Sequence, residues 1–293
     1  MLQIKSDLHM KEKITDIGQL EKIASQVRRD IVRQVHGCQS GHPGGSLGCT
    51  DVLVALYFNT MNIDTNFNMQ GTGEDLFFLS NGHISPVFYS VLARVGYFDV
   101  KELATFRKLN SRLQGHPTTH EHLPGIRMSS GSLGQGLSVG IGAALSKKLK
   151  NDNGFVYVLM GDGEQNEGQV WEAVQFAPHH KVDNLIAIVD VNGQQIDGST
   201  EKVMSNRDLG EKYKAFGWQV MHMDGNNMAE VVTTLAAAKA ASKQGVPVAI
   251  MMKTEMGAGV DFMMGSHKWH GVAPNDEQLA TALAQLTETL GDY

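Results

Sequence analysis

Two short apolar runs that end in polar, glycine-marked turns constrain this chain more than any other feature. They are Val158-Leu-Met-Gly161-Asp162-Gly163-Glu164 and Ile188-Val189-Asp190-Val191-Asn192. Unbroken apolar runs of this length suit strands covered on both faces, as in a parallel sheet. In such a sheet, ligands bind outside the carboxyl ends of the strands. Asp162 and Asn192 are therefore expected side by side at that edge, as two hard oxygen ligands for Mg²⁺ or Ca²⁺. So few protein ligands leave the rest of the coordination to water, backbone carbonyls and ligand oxygens.

The remaining sequence repeats the same alternation. Apolar residues Ile17, Leu20, Ile23, Ala24, Val27, Ile31 and Val35 recur at helical spacing, and Gln39-Ser-Gly-His-Pro-Gly-Gly-Ser46 ends that helix. A second helix is expected over Leu47–Tyr57 and a buried strand over 75–80, with a helix starting near Pro86. Residues 110–131, rich in Gly, Pro, His, Ser and Thr, read as a long working loop. Helices are expected over 132–150, 169–177, 228–243 and 276–290, and further strands over 155–160, 185–190, 218–222 and 246–252. This is the pattern of a doubly wound α/β fold, a parallel sheet with helices on both faces. It is expected to form one domain over residues 1–293, with residues 1–15 as a peripheral segment.

Composition narrows the function classes. A formal charge of −6 argues against nucleic acid and anionic membrane as partners. No apolar run reaches the roughly 18 residues of a membrane span, and the polar N-terminus lacks a secretory core, so a cytoplasmic location is expected. Cys38 and Cys49 are the only cysteines, too few for a disulfide framework.

Glycines stand where a phosphate-binding backbone needs them. Gly131-Ser132-Leu133-Gly134-Gln-Gly136 opens a helix whose N–H groups and dipole suit diphosphate oxygens, although helix packing is an equal reading of this segment alone. Histidines sit in four glycine- or proline-marked loops: Gly41-His42-Pro43, Asn81-Gly-His83, Gly115-His116-Pro117 and Gly265-Ser-His267-Lys-Trp-His270. Their shared setting suggests convergence on one pocket as proton shuttles and hydroxyl donors. Glu167 and Glu172 follow the GDG turn, where helix-dipole preference suffices to explain them.

Taken together, GHPGGSLG, LSNGH, GHP, GSLGQG, GDGEQNEG, DVNGQQIDG and GSHKWHG resemble, in the same order, the motifs of transketolase, from about residue 20 to residue 275. The resemblance implies the diphosphate-binding domain of a thiamine diphosphate enzyme. It assigns Asp162, Asn192 and the backbone carbonyl of Gln194 to the metal. It assigns Gly131, Ser132, Leu133, Gly161, Gly163, Glu164, His83 and His267 to the cofactor, with Ile196 packed on it. His42, His116 and His267 would serve catalysis at the sugar donor, and Glu167 and Glu172 would link paired active sites across a dimer interface. Two motifs depart from the usual family forms, at Ser132 and over Val191–Gln195, without losing a side-chain ligand.

A full transketolase is substantially longer and carries a pyrimidine-binding domain whose glutamate activates the cofactor. The resemblance thus implies the N-terminal subunit of a split transketolase. Its partner would be a C-terminal transketolase subunit carrying that domain, in an α₂β₂ assembly acting on sugar phosphates. The α subunit of a 2-oxo acid dehydrogenase and 1-deoxyxylulose-5-phosphate synthase share the GDG and Asn pair, but GHPGG, SNGH and GHPTTHEHLPG fit transketolase better. A non-catalytic cofactor-binding subunit is the remaining alternative.

Overall fold

The structure is a computed structural model that describes residues 12–293. Of the segment expected to be peripheral, residues 1–11 lie outside the described residues. Ile14 is tied to the body, its N–H donating to the Phe58 carbonyl at 2.8 Å.

The chain opens with α1 (Ile17–Cys38), α2 (Pro43–Gly48) and α3 (Thr50–Ala55), the last running into a π-helical turn over Leu56–Thr60. Then follow β1 (Leu76–Leu79), α4 (Ser85–Val95), α5 (Gly136–Leu149), β2 (Val156–Gly161), α6 (Gly168–His179) and β3 (Leu185–Val191). A two-residue hairpin, β4 (Gln194–Gln195) and β5 (Gly198–Ser199), leads into α7 (Thr200–Val203) and α8 (Leu209–Ala215). The chain ends with β6 (Gln219–Asp224), α9 (Met228–Ala241), β7 (Val248–Lys253) and α10 (Asp276–Gln285).

Local signals account for these limits. Asp16 caps α1, accepting the Gln19 N–H at 2.7 Å, and Gln39 closes it in the left-handed conformation. Asn275 and Gln278 form a reciprocal capping box on α10. Pro43 and Ser85-Pro86 stand at helix starts, where a missing N–H costs nothing. The helix expected over 47–57 is divided between α2, α3 and the π turn. Between β1 and α5, residues 110–131 form a loop with one 3₁₀ turn at Thr119–Glu121.

The five main strands form a parallel sheet in the order β1-β2-β3-β7-β6. Alternate strand residues feed two cores. Phe77, Leu79, Tyr157, Leu159, Ile186, Ile188 and Ile250 pack toward α1, α3, α4 and α9. Val156, Val158, Met160, Ala187 and Val189 pack toward α5, α6 and α8. The step from β2 to β3 crosses through α6, and the opposite step from β6 to β7 crosses through α9 on the other face. That is what right-handed crossovers require when the winding direction reverses. The doubly wound α/β fold expected from sequence is the fold observed.

Small residues let α5 lie close to the sheet. A Cβ on Gly140 would stand 2.3 Å from Val158 Cγ2. Gly140→Ala is therefore expected to destabilise the chain by about 1–3 kcal/mol through overpacking. The effect should appear as a lower denaturation midpoint with an unchanged slope.

Candidate functional site

At the carboxyl edge of the sheet, neighbouring strands send their chains to opposite faces. After β1 the chain turns through Asn81-Gly82-His83 into α4, and after β2 it turns through Asp162-Gly163-Glu164 into α6. The crevice between them holds a cavity of about 430 Å³, within the range of small-molecule sites. Its walls include His42, Asn81, His83, Leu133, Asp162, Asn192 and His270.

One wall is anionic. Asp162 is buried, its two oxygens accepting the N–H groups of Gly163 at 2.7 Å and Gly193 at 2.8 Å. Burial, and then the neighbouring Asp190 carboxylate, push its pKa up to about 7. Among the described residues neither Asp162 nor Asp190 enters an ion pair. Two neighbouring carboxylates without a positive partner suit a divalent cation, which would restore the charged form. Asn192 stands beside them, its Oδ1 accepting the Gln194 N–H at 2.9 Å. Among the described residues no cluster of three or more His, Cys, Asp or Glu is placed to hold a metal ion. A cation here would draw on Asp162, the Asn192 amide oxygen, a backbone carbonyl such as that of Gln194, and ligand oxygens.

The floor is set by Glu164. Its buried carboxylate accepts the Ser80 hydroxyl and the Gly134 N–H (2.7 Å) on one oxygen, and the Gly161 N–H (3.0 Å) on the other. Ser80 Oγ in turn accepts the Gly136 N–H at 3.0 Å. The N–H groups of Gly134 and Gly136 are thus engaged internally, while Gly131 and Leu133 face the cavity. Gly131 has a φ of 141°, and a Cβ there would lie 3.1 Å from the His116 ring. Gly136 admits no side chain, since its Cβ would meet Ser80 Cβ at 2.3 Å.

The opposite wall is a cluster of imidazoles. The His42 ring centroid lies 5.0 Å from that of His83, 5.7 Å from His270 and 6.5 Å from His116, and His83 stacks on His270 at 5.2 Å. Burial, helped by His270, Arg107 and His116, lowers the His42 pKa to about 4. Burial also holds His83 well below the usual range and lowers His270, and His116 is lowered by burial and by Arg107. Near neutral pH these rings are uncharged, each able to donate from one nitrogen and accept at the other. The buried atoms His42 Nδ1, His270 Nδ1, Asn81 Oδ1 and Gln195 Nε2 have no hydrogen-bond partner among the described residues. All four residues line the cavity, so they are polar positions suited to a bound ligand.

The structure brings together His42, His83, Gly131, Leu133, Gly161, Asp162, Gly163, Glu164, Asn192, Gln194 and Ile196 around this cavity. Ile196 is 64% exposed and overhangs the mouth. His116 joins through His42 and Gly131, and Ser132 is exposed beyond the lining. His267 lies on an adjoining groove with Lys268 and Val272, and it is His270 that reaches the imidazole cluster. Glu167 caps α6 at the cavity edge, whereas Glu172 faces outward into the α5–α6 groove beside Ser138 and Phe176. Sequence reasoning passed over Asn81, Asp190, Gln195 and His270 as individual site residues. Asn81 and His270 lie inside the glycine-marked histidine loops. Asp190 opens the Asp-Val-Asn run, and its place two residues before Asn192 at the end of an apolar run was the available signal.

Comparison with known proteins places the chain in a family. The family model described as transketolase, thiamine diphosphate binding domain, matches residues 20–290. The chain is 38% identical to one of the subunits of the apulose-4-phosphate transketolase of Phocaeicola vulgatus, covering 92% of this chain and 95% of that protein. It is also 38% identical to a 6-deoxy-6-sulfo-D-fructose transketolase subunit of a Clostridium species, with 91% and 96% covered. Human transketolase is 34% identical, but this chain spans only 41% of it. Among solved structures, transketolase from Campylobacter jejuni matches with a TM-score of 0.85 at 31% identity, over 93% of this chain and 43% of that one. The chain belongs to the transketolase family, through its thiamine diphosphate-binding domain.

Proposed function

We propose that this chain is the N-terminal subunit of a two-chain transketolase, transferring a two-carbon ketol unit from a ketose phosphate to an aldose or its phosphate. The observation that carries the reading is the juxtaposition, in one cavity, of an uncompensated carboxylate wall and a neutral imidazole wall. Relatives of matching length carry names that make them subunits of transketolases, which supports a second chain completing the site. That partner is expected to carry the pyrimidine-binding domain, in an α₂β₂ assembly with Glu167 and Glu172 toward the dimer interface. A cytoplasmic setting accords with two free thiols, Cys38 and Cys49.

Asp162, Asn192 and the Gln194 carbonyl would hold Mg²⁺ or Ca²⁺, and the cation would anchor the diphosphate beside Gly131, Leu133 and Gly163. Thiamine diphosphate supplies the nucleophilic carbon and electron sink that cleavage next to a ketone requires. The protein's share is orientation, charge and proton handling. His42 and His116, held neutral, exchange protons with the sugar hydroxyls at the open end of the cavity. His83 and His270 pack behind His42 and fix its ring, and His267 stands outside on the adjoining groove.

The deciding experiment is ketol transfer from xylulose 5-phosphate to ribose 5-phosphate with Mg²⁺ and thiamine diphosphate. The chain alone should be silent, and its mixture with the partner should be active. Transfer by the chain alone, or none by the mixture with any ketose phosphate, would overturn the reading. Asp162→Ala should abolish Mg²⁺-dependent binding of thiamine diphosphate, as read by calorimetric titration. His116→Ala should leave that binding intact and slow turnover by about 10²–10⁴-fold in the mixture.

The histidines also set a pH response. The unfolded chain takes up a proton at His42 below about 6.5, while folding holds the ring neutral down to about 4. Stability from this group is therefore complete above 6.5 and is lost as pH falls from 6.5 to 4. Melting curves across that range should show the decline, and His42→Gln should reduce its slope.

A further inference from the structure

Behind the cation wall lies a second carboxylate that no metal ligand set includes. Asp190 is the penultimate residue of β3 and only 2% exposed. Its Oδ2 accepts the side-chain amide N–H of Asn192 at 2.8 Å, and its Oδ1 accepts the Thr254 hydroxyl, just past the end of β7. The fully buried Cys49 thiol lies against it from the start of α3. Among the described residues the side chains bonded to Asp190 are those of Thr254, Asn192 and Cys49, and Asp162 is its neighbouring carboxyl group.

A primary amide has one donor end and one acceptor end, and nothing in its shape decides which way it points. In Asn192 the choice is made by Asp190. With the NH₂ group held against Asp190, Oδ1 faces the other way, on a residue that lines the cavity. One Oδ1 lone pair receives the Gln194 N–H, and the other is left for a cation.

We infer that Asp190 is the positioning residue of the cation site: it fixes the Asn192 amide with its oxygen outward. Thr254 holds the carboxylate at the correct angle from the neighbouring strand. This assignment rests on the reading of Asp162 and Asn192 as cation ligands, and it concerns binding rather than chemistry. Outer groups that orient metal ligands commonly change metal affinity by about 10–100-fold when removed.

The test uses the full chain, stripped of metal, at fixed thiamine diphosphate. Mg²⁺ is titrated while melting temperature and heat of binding are followed. Asp190→Asn keeps the size of the side chain but makes it an amide, which can present either end to Asn192 and no longer dictates which way that amide points. It should raise the Mg²⁺ concentration for half-saturation by about 10–100-fold, with a metal-free melting temperature no lower than wild type. Thr254→Val should shift half-saturation in the same direction by less. A residue that merely supports the fold would do the reverse, so an unchanged half-saturation or a lowered metal-free melting temperature in Asp190→Asn overturns the inference. Asp162→Asn is run in parallel. If it too leaves the Mg²⁺ response intact, the cation site itself is misassigned, which separates that failure from failure of the Asp190 assignment.

Discussion

A single buried carboxylate, that of Glu164, joins three stretches of chain that the sequence keeps far apart. It receives the hydroxyl of Ser80 from the end of β1, the N–H of Gly134 from the turn before α5, and the N–H of Gly161 from the end of β2. Buried charge is costly unless it is fully engaged by donors, and here each oxygen has at least one. The crevice depends on this junction. The chains leaving β1 and β2 diverge to opposite faces of the sheet, and Glu164 keeps them at a fixed separation while drawing the glycine turn against them. Lengthening or loosening any of the three bonds would move a cavity wall.

Upon that frame the site is electrically divided. The side at the ends of β2 and β3 carries Asp162 and Asp190, which have no cationic partner among the described residues. The side built from loops carries imidazoles that desolvation keeps neutral. Arg107 reinforces the division by disfavouring protonation of His42 and His116. A ligand that brings its own divalent cation at one end and hydroxyl groups at the other meets both halves in complementary form. Binding of the proposed cation would neutralise that wall and so stabilise the chain by mass action.

Much of this was legible in the sequence because the informative residues carry their own backbone constraints. Val156–Met160 and Leu185–Val189 are unbroken apolar runs since both faces of those strands are covered, and such runs survive reading one residue at a time. The GDG turn and the loop histidines were found for the same reason, each being bounded by glycine or proline. What escaped was set by contacts between distant segments. Two of the side chains that hold Asp190, Thr254 and Cys49, are not near it in sequence. His267 and His270 share one loop, and only the tertiary fold turns His270 toward His42. The hairpin at Gln194–Ser199 and the helix Leu209–Ala215 are too short to show a period. The passage from α3 into the π turn lies within the continuous apolar run Val52–Phe58, where periodicity is silent.

The loop between α4 and α5 has little regular structure, yet it is far from free. Arg127 pairs with Glu74 at 3.0 Å, Ser130 donates its N–H to the Pro117 carbonyl at 3.0 Å, and Gly131 lies against the His116 ring. The group proposed to meet the sugar and the turn proposed to meet the diphosphate are therefore two ends of one closed ring of backbone. Ordering one end orders the other, so the entropy of fixing the ring is lost once rather than twice. A substrate and a cofactor that touch opposite ends of it are coupled by the connectivity of the chain, with no contact between them needed.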